Sequence, residues 1–187
     1  MVINEDTKML LFRYNNYKKT DFIEEHKKIL KKNGYVWMLK VGKKASKEKL
    51  DKILGEGGWM VLRAPKADGS ISYIARFSDY LETQPPKAVF PAYYESFLNG
   101  EDSYEFDLSS EQWFKIEEIQ ELAGEDASNL VLEKTGKTVE DVIGTTRTAV
   151  MYITNKKDII VGARDSAVFQ YCRRDKSEYS CDGIRAC

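Results

Sequence analysis

Runs of apolar residues separated by turn residues predict a mixed succession of strands and helices along this chain. The run Lys8–Tyr14 is short, apolar and bounded by polar residues, which predicts a buried first strand. Phe22–Leu30 instead has its apolar residues at helical spacing, after the capping pair Thr20–Asp21. Acidic residues come early in this segment, lysines come late and Asn33–Gly34 follows, which is the order that a helix dipole and a helix stop favour.

Later apolar runs predict further strands, shorter helices and one hairpin. The run Tyr35–Val41 is almost wholly apolar, and Trp59–Ala64 and Ile71–Tyr80 flank a turn that contains Pro, Asp and Gly. Short helices are predicted after the capping residues Ser46 and Thr138. The remaining predicted strands are Leu130–Leu132, Ala149–Ile153 and Ile159–Val161, with a brief one at Tyr104–Leu108.

The segment Ser109–Leu122 has a pattern that fits two structures. Its apolar residues repeat every three positions from Trp113 onward, and a capping-box pattern begins at Ser109, which together favour a helix. The competing structure is a strand that contains Trp113–Ile116. The local pattern alone favours the helix.

Length and composition predict one globular domain followed by a short tail. The 187 residues are 42% hydrophobic and include 12 Gly and 4 Pro, which leaves no room for a long low-complexity region. We expect a single domain at residues 1–172 and a polar tail at residues 173–187. No apolar run reaches the roughly 18 residues of a membrane span, and the start is too polar for a signal peptide, so a cytoplasmic protein without membrane contact is expected.

The cysteines and the single histidine do not form a pattern typical of metal sites. Cys172, Cys181 and Cys187 lie near the end of the chain at spacings unlike those of zinc ligands, so we expect reduced, unpaired thiols. His26 lies on or near the apolar stripe of the first helix, which favours a packing role over that of a catalytic base. We therefore expect no metal and no cofactor.

Charge is distributed unevenly although the net charge is −1. Residues 1–87 carry 18 Lys and Arg against 11 Asp and Glu, whereas residues 88–187 carry 11 against 19. The first half could present a positive face to phosphates, or its lysines could be solvated on helix faces. Both interpretations stay open on the sequence alone.

Several sequence runs, taken in order, are similar to those of a known superfamily. They are MLLFRY in the first strand, YVWMLKVG, GGWMVLRAP followed by GSISYIARF, PAYY, WFKIEEIQEL and the late TTRTAV. In order and residue type these runs resemble the PUA-like superfamily, and within it most closely the EVE-type domains, which are related to the YTH readers. The resemblance covers most of residues 8–155 and includes no specific signature.

The resemblance implies an α+β fold, namely a PUA-like curved β-barrel with two or three packed helices. It also implies that WFKIEEIQEL is a strand, against the local pattern, and we adopt the strand. The implied partner is DNA or RNA, with a modified or flipped nucleobase held in an aromatic pocket. A base has a flat π face that stacks on aromatic rings, and its edge needs a few placed donors and acceptors.

The family's pocket, carried over by position, implies a set of nucleic-acid-binding residues in this chain. They are Tyr14, Asn15, Trp37, Lys40, Lys43, Arg63, Tyr94 and Arg147. One departure is that YTH-type readers have a Lys-Ser pair after the first strand, where this chain has Arg13–Asn16. For Trp37 and Trp59 a core position is the competing interpretation, and for Lys40 and Arg147 it is a solvated charge.

Sequence motifs of catalysis are not found in this chain. It has no GxSxG, HExxH or GxGxxG pattern and no Walker-type phosphate loop. Together with the resemblance, which implies nucleic-acid binding, this absence predicts a nucleic-acid-binding module without catalysis. One alternative is a protein–protein interaction factor, such as an inhibitor or adaptor of a defence or mobile-element system, that acts through the aromatic loop Pro85–Phe97. Another is an enzyme on the same barrel.

Overall fold

A computed structural model describes the strands and helices of residues 1–16, 20–65, 71–99 and 111–162. The strands are β1 (Val2–Ile3), β2 (Lys8–Arg13), β3 (Val36–Lys40), β4 (Trp59–Arg63), β5 (Ser72–Leu81), β6 (Gln112–Leu122), β7 (Leu130–Leu132), β8 (Val150–Asn155) and β9 (Ile159–Ile160). The helices are α1 (Phe22–Asn33), α2 (Lys47–Gly55), α3 (Tyr94–Leu98), α4 (Gly124–Ala127), α5 (Val139–Ile143) and a 3-10 helix at Lys87–Val89. The predicted strand at Tyr104–Leu108, the tail at residues 173–187 and all three cysteines lie outside the described residues.

One large sheet organises the molecule. It has seven strands in the order β3-β6-β5-β4-β2-β8-β7, and β1 pairs with β9 in a small second sheet. Neighbouring strands are antiparallel except β2 and β4, which are parallel and are connected along the chain through α1, β3 and α2. The mostly antiparallel sheet with its helices confirms the predicted α+β class. No strand pairing joins β3 to β7 in the described ranges, so the sheet is not closed there.

The sheet is strongly curved. In a flat sheet β2 and β6 would be about 14 Å apart, because β4 and β5 lie between them and each strand spacing is about 4.8 Å. The rings of Phe12 on β2 and Phe114 on β6 nevertheless meet edge to face, with centroids 6.4 Å apart. Curvature therefore brings the two strands together across the concave face, and the rings pack there.

Gly58 allows a close backbone approach at the start of β4. Its carbonyl accepts a hydrogen bond from the Phe77 N–H at 2.7 Å. A Cβ at this position would lie 2.0 Å from the Phe77 carbonyl oxygen, and the backbone φ is +72°. Only glycine meets both conditions without strain. The same part of β5 carries the register shifts that bend the sheet.

Local capping signals place the helix ends as predicted. The Asp21 side chain accepts from the Glu24 N–H, and α1 stops at Gly34, whose φ is 78°. The Thr138 side chain accepts from the Asp141 N–H at 3.3 Å and opens α5. Ser46 precedes α2, but its side chain makes no capping hydrogen bond. The chain pattern does not predict β1, α3 or α4, which are short.

Strand β6 decides between the two structures that fit the sequence of Ser109–Leu122. It forms a strand over Gln112–Leu122, which confirms the structure adopted from the resemblance and shows that the helix favoured by the local pattern is wrong. The predicted hairpin is also confirmed, because β4 and β5 pair antiparallel with Val61 opposite Ile74. The other predicted strands within the described residues are confirmed as β2, β3, β7, β8 and β9.

A bulge in β6 explains the three-residue spacing of Ile116 and Ile119. Arg76 and Phe77 are adjacent in β5, but their partners in β6 are Glu118 and Ile116, so β6 has one extra residue at this point. The extra residue returns Ile119 to the face that Ile116 occupies, and both pack in the same cluster. Apolar residues three positions apart therefore share one face in a strand.

Among the described residues, buried apolar side chains form three clusters. The first lies between the concave face of the sheet and the helices α1 and α2. The second lies between the opposite face, α4, α5 and the small sheet, and it includes Trp59, so the core interpretation holds for that residue. The third contains Trp37, Leu39, Phe90, Tyr94 and Trp113, together with partly buried neighbours. Within the described ranges, no helix is long and apolar enough to cross a membrane.

Candidate nucleic-acid interface

Two adjoining clefts lie where β2 and β3 end and β8 begins. The first, the aromatic cleft, has a volume of about 300 Å³ and is lined by Phe12, Arg13, Tyr14, Asn15, Asn16, Phe22, Leu39, Lys40, Val41, Tyr93, Tyr94 and Ala149. The second, the cationic cleft, has a volume of about 610 Å³ and is lined by Lys40, Val41, Gly42, Lys43, Lys44, Ala45, Ser46, Lys49, Arg147, Thr148, Ala149, Val150 and Tyr152. Lys40, Val41 and Ala149 border both clefts.

Backbone hydrogen bonds bring these distant parts of the chain together. The Arg13 N–H donates to the Ala149 carbonyl at 2.8 Å, which holds the start of β8 beside the end of β2. The turn between β3 and α2 is held from the opposite side, because the Ser46 N–H donates to the Tyr152 hydroxyl at 2.8 Å. The Ala45 N–H in the same turn donates to the Gln112 side chain at 2.9 Å. The wall between the clefts is therefore attached to three strands.

The aromatic cleft has two accessible tyrosines and a buried aromatic wall. Tyr14 is partly exposed and stacks on Phe22, with centroids 4.7 Å apart and an interplanar angle of 17°. Tyr93 is also partly exposed, whereas Phe22 and Tyr94 are buried. Burial raises the pKa of Tyr14 to about 12, so its hydroxyl stays protonated near neutral pH.

His26 holds the aromatic wall from behind. It is completely buried, Nδ1 lies 2.6 Å from the Phe22 carbonyl oxygen, and Nε2 lies 2.9 Å from the Tyr94 hydroxyl. Burial lowers the pKa of His26 to about 4, so the ring is neutral at physiological pH. The Leu39 backbone also hydrogen-bonds the Tyr94 hydroxyl. The histidine has the packing role predicted for it, with fuller burial than expected.

The polar groups of the aromatic cleft differ in how far they are already engaged. Asn16 accepts from the Phe22 N–H at 3.0 Å and so fixes the start of α1. Arg13 donates from Nη1 to the Thr148 carbonyl at 3.3 Å. Asn15 is exposed and makes no hydrogen bond to the part of the chain that the structure describes. Within the described ranges, its amide is therefore available to a ligand.

The cationic cleft has five basic side chains on its wall and, among the described residues, no carboxylate. Lys43 and Arg147 are exposed and form no ion pair within the described ranges. The Lys49 ammonium lies 4.1 Å from the centroid of the Tyr152 ring, a cation–π contact that orients it. The lining therefore favours an anion.

Lys40 lies at the junction of the clefts and supports their shared wall. Its residue is buried, and its ammonium donates to the Gly42 carbonyl at 3.2 Å and also to the Lys43 carbonyl. Burial lowers the pKa of this lysine. Lys40 therefore holds the turn after β3 in place instead of presenting its charge to solvent.

Comparisons with known proteins give no relative for this chain. No protein-family model, no curated protein and no solved structure matches it. Among the described side chains, no group of three or more His, Cys, Asp and Glu could hold a metal ion. The chemistry of the two clefts therefore follows from their own geometry.

Six of the eight predicted site residues lie at the clefts. The aromatic cleft has Tyr14, Asn15, Lys40 and Tyr94, and the cationic cleft has Lys40, Lys43 and Arg147. The two others lie outside both linings. Trp37 is 7% exposed and packs in the third cluster. Arg63 is buried, with Nη1 2.5 Å from the Ser72 hydroxyl and Nη2 2.8 Å from a Glu140 carboxylate oxygen, so it joins β4 to α5.

Sequence reasoning did not select several side chains that line the clefts. They are Phe22 and Tyr93 in the aromatic cleft and Lys44, Lys49 and Tyr152 in the cationic cleft. One usable signal is the run VGKKASKEKL, which places several lysines in the turn and first turn of a helix directly after a buried strand. No comparable signal marks Tyr152, whose position depends on the pairing of β8 with β2.

Proposed function

We propose that this protein binds nucleic acid, with a nucleobase in the aromatic cleft and neighbouring phosphates in the cationic cleft. The observation that carries the proposal is the adjacency of the two clefts, which share Lys40, Val41 and Ala149. A nucleotide joins a flat, largely apolar base to an anionic phosphate. A site that binds it therefore needs an aromatic and a cationic surface side by side.

The aromatic cleft has the size and lining for one base. Its volume of about 300 Å³ is at the lower end of the range for small-molecule pockets. Tyr14 presents a ring that is already held in place by Phe22, and stacking of a base on such a ring contributes about 1–3 kcal/mol. The free amide of Asn15 has donors and an acceptor for a base edge.

The base bound in this way is unpaired or turned out of a duplex. Phe12, Phe22 and Tyr94 form the buried wall of the cleft, so only a base that leaves its stack reaches them. We extend the proposal to recognition of a modified base and to a PUA-like barrel architecture. Both rest on the resemblance to EVE-type domains. The contact between Phe12 and Phe114 across the curved sheet supports that architecture.

The alternative function, a protein contact through the loop Pro85–Phe97, has less support. Phe90 and Tyr94 in this loop are 1% and 4% exposed and pack in the third cluster, and Pro91 is buried with them. Rings that fill a core do not form a contact surface. Adaptor function through this loop therefore stays a prediction, and the proposed binding at the aromatic cleft does not depend on it.

The test is binding of fluorescein-labelled single-stranded RNA and DNA of about 12 nucleotides, measured by fluorescence anisotropy at low salt. We expect at least one strand to bind and Tyr14→Ala to weaken it by roughly tenfold or more, because a stacking partner is lost. Tyr35→Ala is the matched control, since Tyr35 is also partly buried but lines neither cleft. The absence of binding to either strand, or equal effects of the two variants, would show that the proposal is wrong.

A further inference from the structure

Two lysines of the cationic cleft are held by carboxylates that lie outside its lining. The Lys44 ammonium is 2.8 Å from the Glu82 carboxylate, and the Lys49 ammonium is 2.7 Å from that of Glu133. Lys43 and Arg147 differ from both lysines, because neither forms an ion pair with the described part of the chain. Apart from Lys40, whose ammonium is held by backbone carbonyls, the cleft therefore has two cations without an ion pair in the described ranges and two that are neutralised.

We propose that Glu82 and Glu133 set the affinity and the salt dependence of the cationic cleft by competing with backbone phosphates for Lys44 and Lys49. The inference rests on the proposed nucleic-acid binding. It assigns the ligand as a polynucleotide, because the cationic cleft has lining residues beyond those it shares with the aromatic cleft, and four lysine and arginine side chains other than Lys40 are among them. A strand meets Lys43 and Arg147 first and gains the other two only by displacing a carboxylate.

The geometry makes this displacement feasible. All four side chains are partly exposed, between 29% and 52%, and ion pairs with such exposure are weak. Lys49 keeps a second contact, the Tyr152 ring at 4.1 Å, and so stays directed into the cleft after its carboxylate leaves. A phosphate that replaces the carboxylate therefore meets an ammonium that is already oriented.

The two carboxylates are not equivalent. Glu133 also lies 3.7 Å from the Lys8 ammonium, and this second cation remains its partner when Lys49 turns to a phosphate. Glu82 forms an ion pair with Lys44 alone among the described residues. A displaced Glu82 is left as an uncompensated negative charge close to the ligand, so Glu82 opposes binding more strongly than Glu133 does.

The experiment compares Glu82→Gln, Glu133→Gln and the double variant with the wild-type chain, using the labelled RNA and DNA strands. The control is Glu117→Gln, which breaks the 3.1 Å ion pair with Arg76 and changes net charge equally, although Glu117 lies at neither cleft. We expect each cleft variant to bind about three- to tenfold more tightly than the control, with the larger gain for Glu82→Gln. Each released lysine should steepen the slope of log K against log salt by about 0.7.

The outcomes separate this inference from the proposed function. If the wild type binds a strand and the cleft variants bind no more tightly than Glu117→Gln, the inference is wrong and the proposed function stands. If neither the wild type nor the double variant binds RNA or DNA, the proposed function is wrong. Tripolyphosphate, which has phosphates without a base, then tests by calorimetry the part of the inference that needs no nucleic acid, namely that the two carboxylates compete with phosphates for Lys44 and Lys49. Binding to the double variant at least about threefold tighter than to Glu117→Gln supports it, and equal binding overturns it.

Discussion

The Nε2 atom of His26 accepts a hydrogen bond from the Tyr94 hydroxyl, 2.9 Å away, in the buried wall of the aromatic cleft. The assignment follows from the other ring nitrogen. Nδ1 lies 2.6 Å from the Phe22 carbonyl oxygen, which can only accept, so Nδ1 carries the proton of the neutral ring. One imidazole therefore joins α1 to α3 and fixes the rings behind the cleft.

Removing the Tyr94 hydroxyl should destabilise the fold. Tyr94→Phe leaves the buried Nε2 atom of His26 without a donor, and an unsatisfied buried group of this kind costs about 1–3 kcal/mol of unfolding free energy. Urea unfolding measures the loss. Tyr152→Phe is the control, because its hydroxyl accepts an exposed hydrogen bond and should cost less than about 1 kcal/mol. Equal losses in the two variants would contradict the assignment.

His26 should make stability fall in mild acid. Its folded pKa of about 4 lies below the ordinary value of 6.5, so between these values the unfolded chain binds a proton that the folded chain does not. The contribution of His26 to the unfolding free energy is thus nearly constant well above pH 6.5. It decreases as the pH falls from 6.5 towards 4, by roughly 3 kcal/mol in total.

The measurement is the unfolding free energy of the wild type and of His26→Gln from about pH 7 to pH 4.5. The difference between the two proteins should shrink as the pH falls, because glutamine does not titrate. Other acidic groups contribute equally to both proteins and cancel. Parallel curves over this range would show that His26 titrates in the folded protein as it does in the unfolded chain.

Gly58 should tolerate alanine far less well than Gly34 does. Both have a positive φ, of 72° and 78°, so alanine meets a similar backbone penalty at the two positions. Only at Gly58 would the new Cβ collide with a backbone oxygen, that of Phe77 at 2.0 Å, whereas nothing lies within 4 Å at Gly34. We expect Gly58→Ala to cost at least about 2 kcal/mol more than Gly34→Ala, measured by urea unfolding. Equal losses would mean that β5 moves aside freely.

Trp37→Phe should lower stability and leave ligand affinity unchanged. Trp37 is buried in the third cluster, so the smaller ring leaves a cavity there at a cost of roughly 1–3 kcal/mol. Anisotropy with the labelled strands at a temperature where both proteins are folded separates the two effects. A loss of affinity comparable to that of Tyr14→Ala would instead mean that Trp37 contacts the base.

Lys43 should contribute one phosphate contact. Lys43→Gln is expected to weaken strand binding and to flatten the slope of log K against log salt by about 0.7. The control is Lys32→Gln on α1, which makes the same change in charge at an exposed position outside both clefts. Anisotropy titrations at several salt concentrations give both slopes. Identical slopes for the two variants would exclude Lys43 from the phosphate path.

The parts of the fold predicted from sequence are those that local chemistry determines. Asp21 and Gly34 end α1 through hydrogen bonds within the helix and its caps, so the bounds can be read from the chain itself. The three-residue spacing of Ile116 and Ile119 in β6 arises from a bulge opposite Arg76 and Phe77, and a bulge depends on a partner strand. Local pattern therefore could not predict it.

The sequence predicts correctly the cleft residues that directly follow a strand. It does less well for residues within a strand, where the face on which a side chain lies decides whether it reaches the cleft. Tyr14 and Asn15 follow β2 directly and lie at the aromatic cleft. The resemblance assigns Trp37 and Lys40 to one pocket, although they are three residues apart in a strand and such side chains point to opposite faces. That alternation was available from the sequence once the strand had been predicted. The position of Lys49 beside Tyr152 was not, because it requires the packed structure.

The pairing of β2 with β8 sets the order in which the clefts can appear during synthesis. Lys8 lies opposite Thr154, so this ladder joins parts of the chain that leave the ribosome far apart in time. The rings of Phe12, Tyr14 and Phe22 are made early, but Ala149, which borders both clefts, arrives only with β8. A nascent chain therefore has these aromatic rings without the wall that encloses them. Under the proposed function, ligand binding should therefore begin only when β8 has joined the sheet.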